Sequence, residues 1–338
     1  MSAWSRAAEL AERTPISRNR YVDFLRAMSM LVVVVGHWLA GAPYLDATDN
    51  LISSHILTAV PWTAWLTWLV QVMPIFFLVG GYANGISWRA ARRDRKSYAA
   101  WLEGRLRRLV WPVLPLLVVW VGIVAIEYAR GVRPELISYG SRVAFTHMGP
   151  YPVSMIGLPD DPIGNTTPPK VTLIALAVMQ GGLLLAAQAP ARRWLTGRIA
   201  WTATVTVNGS IMTLFIWHLT ATVLVILVAY LAGGFGLRLE PGSSEWWLAR
   251  LPWLAANAIA LVPLVLVFGR FERPRAAEGV PAPAWRYVLG AIATVAGLAL
   301  LAAQGVGGYG KFGLNVWALA LALAGVGLVA TRIGASPR

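Results

Sequence analysis

Three ionisable residues, Asp23, Arg26 and His37, lie along the first apolar segment of the chain. If that segment crosses a membrane, each charged side chain costs roughly 2.5–3.5 kcal/mol on insertion scales and is a candidate for function. Arg26 precedes His37 by eleven positions. In a helix this separation leaves two side chains within about 20° of one face, with a rise of roughly 16 Å. The two cannot touch, and the spacing predicts a polar track from the cytoplasmic interface into the membrane.

Histidine is the residue in this chain best suited to acid–base or nucleophilic chemistry. A neutral imidazole can deprotonate a hydroxyl or hold a transferred group covalently. His37 is the first candidate, and His218, in a later apolar segment, is the second. A structural role is the alternative for these polar residues. Each histidine would then be bonded to a backbone carbonyl, and Arg26 would reach back to the lipid headgroups.

Arg105 and Arg108 are candidates for binding an anion, because a guanidinium matches the geometry of a phosphate group. A purely topological role for these arginines is the alternative. The chain has 4 His and no Cys, and the histidines lack the spacing of a zinc set, so no metal is expected.

The composition places these residues in a membrane protein. The chain has 57% apolar and 13% charged residues over 338 positions, and a mean hydropathy of +0.60. A soluble fold cannot cover so much apolar surface with so few charges. The net charge of +14 is spread in short runs between apolar blocks, which argues against a nucleic-acid partner.

The hydropathy pattern predicts an all-α, polytopic transmembrane helix bundle with about eight crossings. The predicted helices lie near residues 21–41, 62–88, 109–128, 170–189, 208–232, 249–269, 286–304 and 314–331. Residues 199–207 form either a short interfacial helix or an extension of the next span. With eight crossings, 22 of the 29 Lys and Arg residues fall on one side, so both termini are predicted to be cytoplasmic. Residues 1–20 are then a cytoplasmic segment, and 21–332 a single transmembrane domain.

Four segments together resemble the acyltransferase 3 family of integral membrane O-acyltransferases. The most specific is Asp23-Phe-Leu-Arg26 followed by His37, which is similar to the family's first-helix signature. The segment Pro74–Tyr82 resembles the second helix, with Gly80 in a small-residue position. Arg105–Pro112 resembles the basic start of the third helix, and Leu214–His218 the late aromatic-Leu-His helix.

The resemblance implies transfer of an acyl group from cytoplasmic acyl-CoA, with acetyl-CoA as the expected form, to a hydroxyl of a glycan, lipid or secondary metabolite outside the membrane. It implies catalytic roles for His37 and His218, and acyl-CoA binding by the arginines Arg26, Arg105 and Arg108. Asp23, Gly80 and Gly81 are expected to support the site. No bound cofactor is expected, the partners are acyl-CoA, the acceptor and the lipid bilayer, and the location is the cell membrane.

One departure from the family pattern leaves alternatives open. The resemblance implies about ten crossings, yet no helix is predicted between Tyr128 and Pro168, where the sequence is polar and rich in Gly and Pro. Two crossings are therefore missing, and an outer loop over Gly131–Pro169 takes their place. A shortened, inactive paralogue is one alternative. A transporter using Arg26, His37 and His218 is another, although the sequence lacks inverted repeats and central carboxylates.

Overall fold

The computed structural model describes residues 3–15, 18–60, 62–63, 66–67, 71–130, 171–272, 281–307 and 313–331. Its described helices include five that are long and apolar enough to cross a membrane. They are Arg20–Ala40, Tyr98–Ile126, Ile211–Leu231, Ser244–Glu272 and Ala284–Gln304. Tyr98–Ile126 and Ser244–Glu272 each comprise consecutive helical elements that are given separately below. The all-α class of the prediction is confirmed. The predicted loss of two crossings and the outer loop Gly131–Pro169 concern residues outside the described ranges.

The first half of the chain contains a short hairpin and six described helices. They are α1 (Ala3–Glu12), α2 (Arg20–Ala40), β1 (Tyr44–Leu45), β2 (Leu51–Ile52), α3 (Ile56–Ala59), α4 (Met73–Arg93), α5 (Tyr98–Val110) and α6 (Val113–Ala129). The strands pair antiparallel, with Tyr44 opposite Ile52.

The described part of the second half is helical. Its helices are α7 (Val171–Trp194), α8 (Arg198–Gly209), α9 (Ile211–Leu231), α10 (Ser244–Leu248), α11 (Arg250–Phe268), α12 (Ala284–Gln304) and α13 (Val316–Ala330), with a 3-10 turn at Gly269–Glu272. The chain packs as two compact units. One comprises Met1–Gly85, Ser154–His218 and Leu224–Leu261, and the other comprises Ile86–Val153, Leu219–Val223 and Val262–Arg338. The single domain predicted over 21–332 stays a prediction.

Within the first unit, α2 is anchored at its N-terminus. The Asn19 side chain accepts a hydrogen bond from the Val22 backbone N–H and so caps the helix. Tyr21 is buried and donates from its hydroxyl to the Leu184 carbonyl on α7. The Arg20 guanidinium lies over the ring of Trp201. These contacts fix the cytoplasm-facing end predicted for α2 against α7 and α8.

Most predicted helices are present close to their expected bounds, as α2, α7, α9, α11, α12 and α13.

The helix predicted near 62–88 instead begins at Met73. Proline fits the first turn of a helix but not its interior, and Pro74 therefore sets the start of α4. The helix predicted near 109–128 is preceded by a separate helix, α5, which ends at a turn over Trp111 and Pro112. Pro112 has no N–H to continue α5. Residues 199–207 belong to a distinct helix, α8.

Helices α12 and α13 of the second unit pack through glycines. A Cβ added at Gly297 would lie 2.5 Å from the Ala322 backbone nitrogen, and one at Gly290 would lie 2.9 Å from the Gly325 carbonyl oxygen. Small residues let two helix backbones approach this closely, which is how helices gain packing energy in lipid. The Gly-x-x-x-Gly spacing of Gly81 and Gly85 in α4 would permit the same kind of packing. A Cβ at either position meets no atom within 4 Å.

We expect Gly297→Ala to destabilise the protein by about 1–3 kcal/mol, because the added methyl group meets backbone atoms that cannot move aside. Thermal unfolding of the detergent-solubilised protein measures the effect. Gly81→Ala is the matched control in α4 and should leave the unfolding temperature unchanged or raise it, since alanine is the better helix former. Equal behaviour of the two variants would contradict the packing described for α12 and α13.

The segment between α2 and α4 contains a capped turn that depends on a neutral histidine. His55 precedes α3, and its Nδ1 atom accepts a hydrogen bond from the Leu57 backbone N–H. Its backbone forms an isolated bridge with Gly41, the residue that caps the C-terminus of α2. Burial lowers the pKa of His55 below its ordinary value. Protonation of Nδ1 would remove the acceptor.

We expect the turn at His55 to loosen as the pH falls through about 6.5, the ordinary value for histidine. The unfolded segment binds the proton more readily than the folded one, so the stability of the turn is present above this pH and lost below it. Hydrogen exchange of the Leu57 amide, corrected for its intrinsic pH dependence, measures the change. His55→Asn keeps a capping side chain that does not titrate, and its protection should stay constant. Constant protection in the unmodified protein would refute the mechanism.

Candidate active site

The two candidate histidines meet. His37, in the last turn of α2, and His218, in α9, are 181 positions apart, yet His37 Nδ1 lies 2.8 Å from His218 Nε2. The rings are nearly parallel, with centroids 5.0 Å apart and an interplanar angle of 12°. His218 is buried, with 2% of its surface exposed, and His37 is half-buried. His37 is thus the member of the pair that lies nearer the surface of this unit.

A backbone carbonyl decides how the protons are arranged in this pair. His218 Nδ1 lies 2.5 Å from the Phe215 carbonyl oxygen, which can only accept. A neutral His218 must therefore carry its proton on Nδ1, leaving Nε2 as an acceptor. His37 Nδ1 must then donate to His218 Nε2. In the neutral pair the lone pair of His37 is left on Nε2, which is the atom that could take a proton or attack a carbonyl.

The helix residue next to His37 ties α2 to α9 a second time. Trp38 is buried, and its indole Nε1–H donates to the His218 backbone carbonyl at 3.0 Å. The imidazole contact and the indole contact join neighbouring residues of α2 to one residue of α9. Two bonds of this kind restrict rotation of either helix about its own axis.

Asp23 and Arg26 lie lower on α2, towards its N-terminus. The Asp23 carboxylate forms an ion pair with Arg18 at 2.5 Å, and its backbone carbonyl accepts from the Asn208 side chain. Arg26 is half-buried. Met30 and Val33, which share the face between Arg26 and His37, are buried apolar residues. The predicted polar track is therefore not continuous along α2 itself.

The remaining predicted site residues lie elsewhere on the described chain. Gly80 and Gly81 are in α4, and a Cβ on either meets no atom within 4 Å, so neither makes a close helix contact among the described residues. Arg105 and Arg108 are in α5 of the other unit, where Arg108 is exposed and Arg105 is half-buried. The structure thus brings together His37 and His218, and the roles of all the predicted site residues stay predictions.

Helix α5 holds a carboxylate that the sequence reasoning missed. Glu103 is 1% exposed, and its Oε1 lies 3.2 Å from Arg107 Nη1. The spacing of four residues on one helix was the available signal. The ion pair neutralises the charge of Arg107, whereas the neighbouring Arg108 is exposed.

No group of three or more metal-binding side chains occurs among the described residues, and the expectation that the protein needs no metal stays a prediction.

A second feature missed from the sequence is Arg250. Its place in the sequence indicates no role beyond its charge, whereas the structure buries it at the C-terminal end of α2, where its Nη1 donates to the Gly41 carbonyl.

The long apolar helices and the histidine pair define a polytopic membrane protein with a candidate site at the end of its first long helix. A family model described as an acyltransferase domain matches residues 19–333, nearly the whole chain. The chain belongs to the acyltransferase 3 family, and the resemblance noted in the sequence is confirmed. It is accordingly a multi-pass membrane acyltransferase. No curated protein and no solved structure matches it.

Proposed function

We propose that this protein transfers an acyl group from cytoplasmic acyl-CoA to a hydroxyl group of a glycan, lipid or secondary metabolite at the outer face of the cell membrane, with His37 as the general base. The observation that carries the proposal is the hydrogen-bond chain from the Phe215 carbonyl through His218 to His37. That chain leaves the basic lone pair on His37 Nε2. Acetyl-CoA is the donor we expect.

In the proposed reaction, His37 Nε2 accepts the proton of the acceptor hydroxyl as its oxygen attacks the thioester carbonyl carbon. The resulting imidazolium keeps its Nδ1–H directed at His218 Nε2, so His218 stabilises the charge as it forms. The carbon–sulfur bond then breaks. The proton passes from Nε2 to the leaving sulfur, which departs as the CoA thiol, and the acceptor leaves as an ester. His37 returns to its neutral form.

His218 acts through His37 in this scheme and is a positioning residue. A ring that accepts at Nε2 selects the His37 tautomer with its proton on Nδ1, as a carboxylate does in a serine hydrolase triad. Unlike a carboxylate, neutral imidazole adds no charge to an apolar helix, which lowers the cost of placing it within the membrane. The proposed roles of Arg26, Arg105 and Arg108 are to bind the phosphates of CoA, because guanidinium groups match phosphate oxygens.

We expect His37→Ala to lower acyl transfer per molecule by a factor on the order of 10² or more, the usual scale for a positioned base. His218→Ala should cost less, because the base remains and only its orientation is lost. Consumption of labelled acyl-CoA by membranes containing each variant, divided by the amount of protein present, measures this.

His55→Ala is the control for that comparison, since His55 caps a turn and takes no part in the proposed reaction. It should retain full transfer per molecule. A purely structural His37 would produce the reverse result, with less protein and unchanged transfer per molecule. If the unmodified protein consumes no acyl-CoA under any condition, the enzyme proposal fails, and the inactive-paralogue alternative replaces it.

The same proposal includes the orientation of the chain, with eight crossings and both termini cytoplasmic. It is supported by the bias of Lys and Arg and by helices present at most of the predicted spans. In this orientation α2 begins at the cytoplasmic face with Arg20 and ends near the outer face with Ala40. His37 is then close to the outer face, where the acceptor is expected to bind.

Single cysteines can test the orientation because the chain has none of its own. We expect Asp94→Cys, in the exposed turn after α4, to react with a membrane-impermeant maleimide only after the cells are opened. Phe235→Cys, at a position 85% exposed, should react in intact cells. Reaction of the cysteine at position 94 in intact cells would overturn the proposed orientation.

A further inference from the structure

Arg250, the first residue of α11, is a buried cation in contact with two tryptophan rings. Only 6% of its surface is exposed. Its guanidinium carbon lies 3.8 Å from the ring centroid of Trp246 and 5.2 Å from that of Trp253. Its Nη1 donates to the Gly41 carbonyl at 3.3 Å. Placing a charge in such surroundings costs several kcal/mol unless other groups compensate it.

The compensation comes from dipoles and π faces, since Arg250 contacts no carboxylate within the described part of the chain. Cation–π contacts contribute about 2 kcal/mol when they are desolvated. The Gly41 carbonyl belongs to the residue that caps the C-terminus of α2, where the helix dipole places about half a negative charge. The guanidinium therefore occupies the position at which a cation best stabilises the end of α2.

Trp253 secures the same helix end from one turn further along α11. Its indole Nε1–H donates to the Trp38 carbonyl at 3.1 Å. The Ala42 N–H, which would bond this carbonyl if the helix continued, donates instead to Ser54. The carbonyl is thus one of the unsatisfied groups that every helix leaves at its C-terminus, and in a membrane it needs a partner from elsewhere in the protein.

These contacts act on the turn that carries His37. The Trp38 carbonyl accepts from Trp253, while the Trp38 ring donates to the backbone of His218. Displacing the last turn of α2 would therefore move His37 Nδ1 relative to His218 Nε2. Hydrogen bonds weaken steeply when their atoms separate or misalign, so a small shift would release the His37 tautomer.

We propose that Arg250 and Trp253 form a clamp, here called the α2 clamp, which positions His37 for catalysis by fixing the C-terminal turn of α2. The catalytic effect of this clamp rests on the proposed function. Neither residue touches the substrate in this proposal. The α2 clamp is required for the His37–His218 hydrogen bond and hence for the turnover rate, but not for binding acyl-CoA or the acceptor.

Two substitutions remove the clamp in different ways. Trp253→Phe keeps an aromatic ring and removes the indole donor together with the fused five-membered ring, so it is the variant more certain to fold. Arg250→Met removes the charge and keeps an unbranched apolar stem. Arg238→Met is the matched control, because Arg238 is an exposed arginine of the same unit that pairs with Asp49 at 2.8 Å.

The first measurement follows the hydrogen bond itself and needs no activity. In protein labelled with ¹⁵N-histidine, which marks only 4 residues, the bond should give a scalar coupling between His37 Nδ1 and His218 Nε2. We expect the coupling to be lost or reduced in Trp253→Phe and Arg250→Met and retained in Arg238→Met. Retention of the full coupling in both clamp variants overturns the proposal.

The second measurement separates positioning from binding. We expect kcat to fall by a factor on the order of 10 to 100 in both clamp variants, as misplacement of a catalytic group by about 1 Å allows, with KM for acyl-CoA unchanged. A rise in KM at constant kcat overturns the clamp. If the unmodified protein shows no turnover while the coupling behaves as expected, the proposed function fails and the clamp stands as the device that holds the histidine pair.

Discussion

The hydrogen bond between His218 Nδ1 and the Phe215 carbonyl determines the chemistry that the other parts of the site can support. A carbonyl oxygen cannot donate, so this contact fixes the proton of neutral His218 and, through it, that of His37. If His218 turned its ring over, carbon atoms would take the places of both nitrogens, and the contacts with the Phe215 carbonyl and with His37 would both be lost. The lone pair on His37 Nε2 is thus controlled by a backbone atom of α9, on a helix other than its own.

The membrane environment explains why so many contacts converge on the end of α2. In water, the terminal carbonyls of a helix bond solvent at little cost. In an apolar environment they require partners from the protein, and the described structure supplies them from side chains of α11. The groups that satisfy the Trp38 and Gly41 carbonyls are also those that fix the last turn of α2. The same contacts therefore bond the terminal carbonyls of α2 and hold His37 in place.

The helical class and most of the helices could be predicted because hydropathy and length report directly on membrane crossing. His37 and His218 could be selected since polar residues are rare in apolar helices, but their contact could not, because nothing local records a pairing over 181 residues. Prolines shifted the starts of α4 and α6, where apolar runs continue through Pro74 and Pro112. Glycine spacing could not show that Gly297, rather than Gly81, lies at a close helix contact, because spacing alone does not reveal which helix faces another. A role for Arg250 could not be predicted, since Trp246 and Trp253 come together around its guanidinium only when α10 and α11 are folded.

The chemical make-up of the α2 clamp has a consequence for how the protein responds to its surroundings. An indole N–H donates without accepting and does not titrate, and a guanidinium keeps its proton across the physiological range. The contacts of the clamp therefore have one direction only and persist across the physiological pH range. Of the groups joined at this end of the helix, only the imidazoles can gain a proton near neutrality. Acidification would thus act on the imidazoles, including His55 in the turn that is bridged to Gly41, while the α2 clamp itself stayed in place.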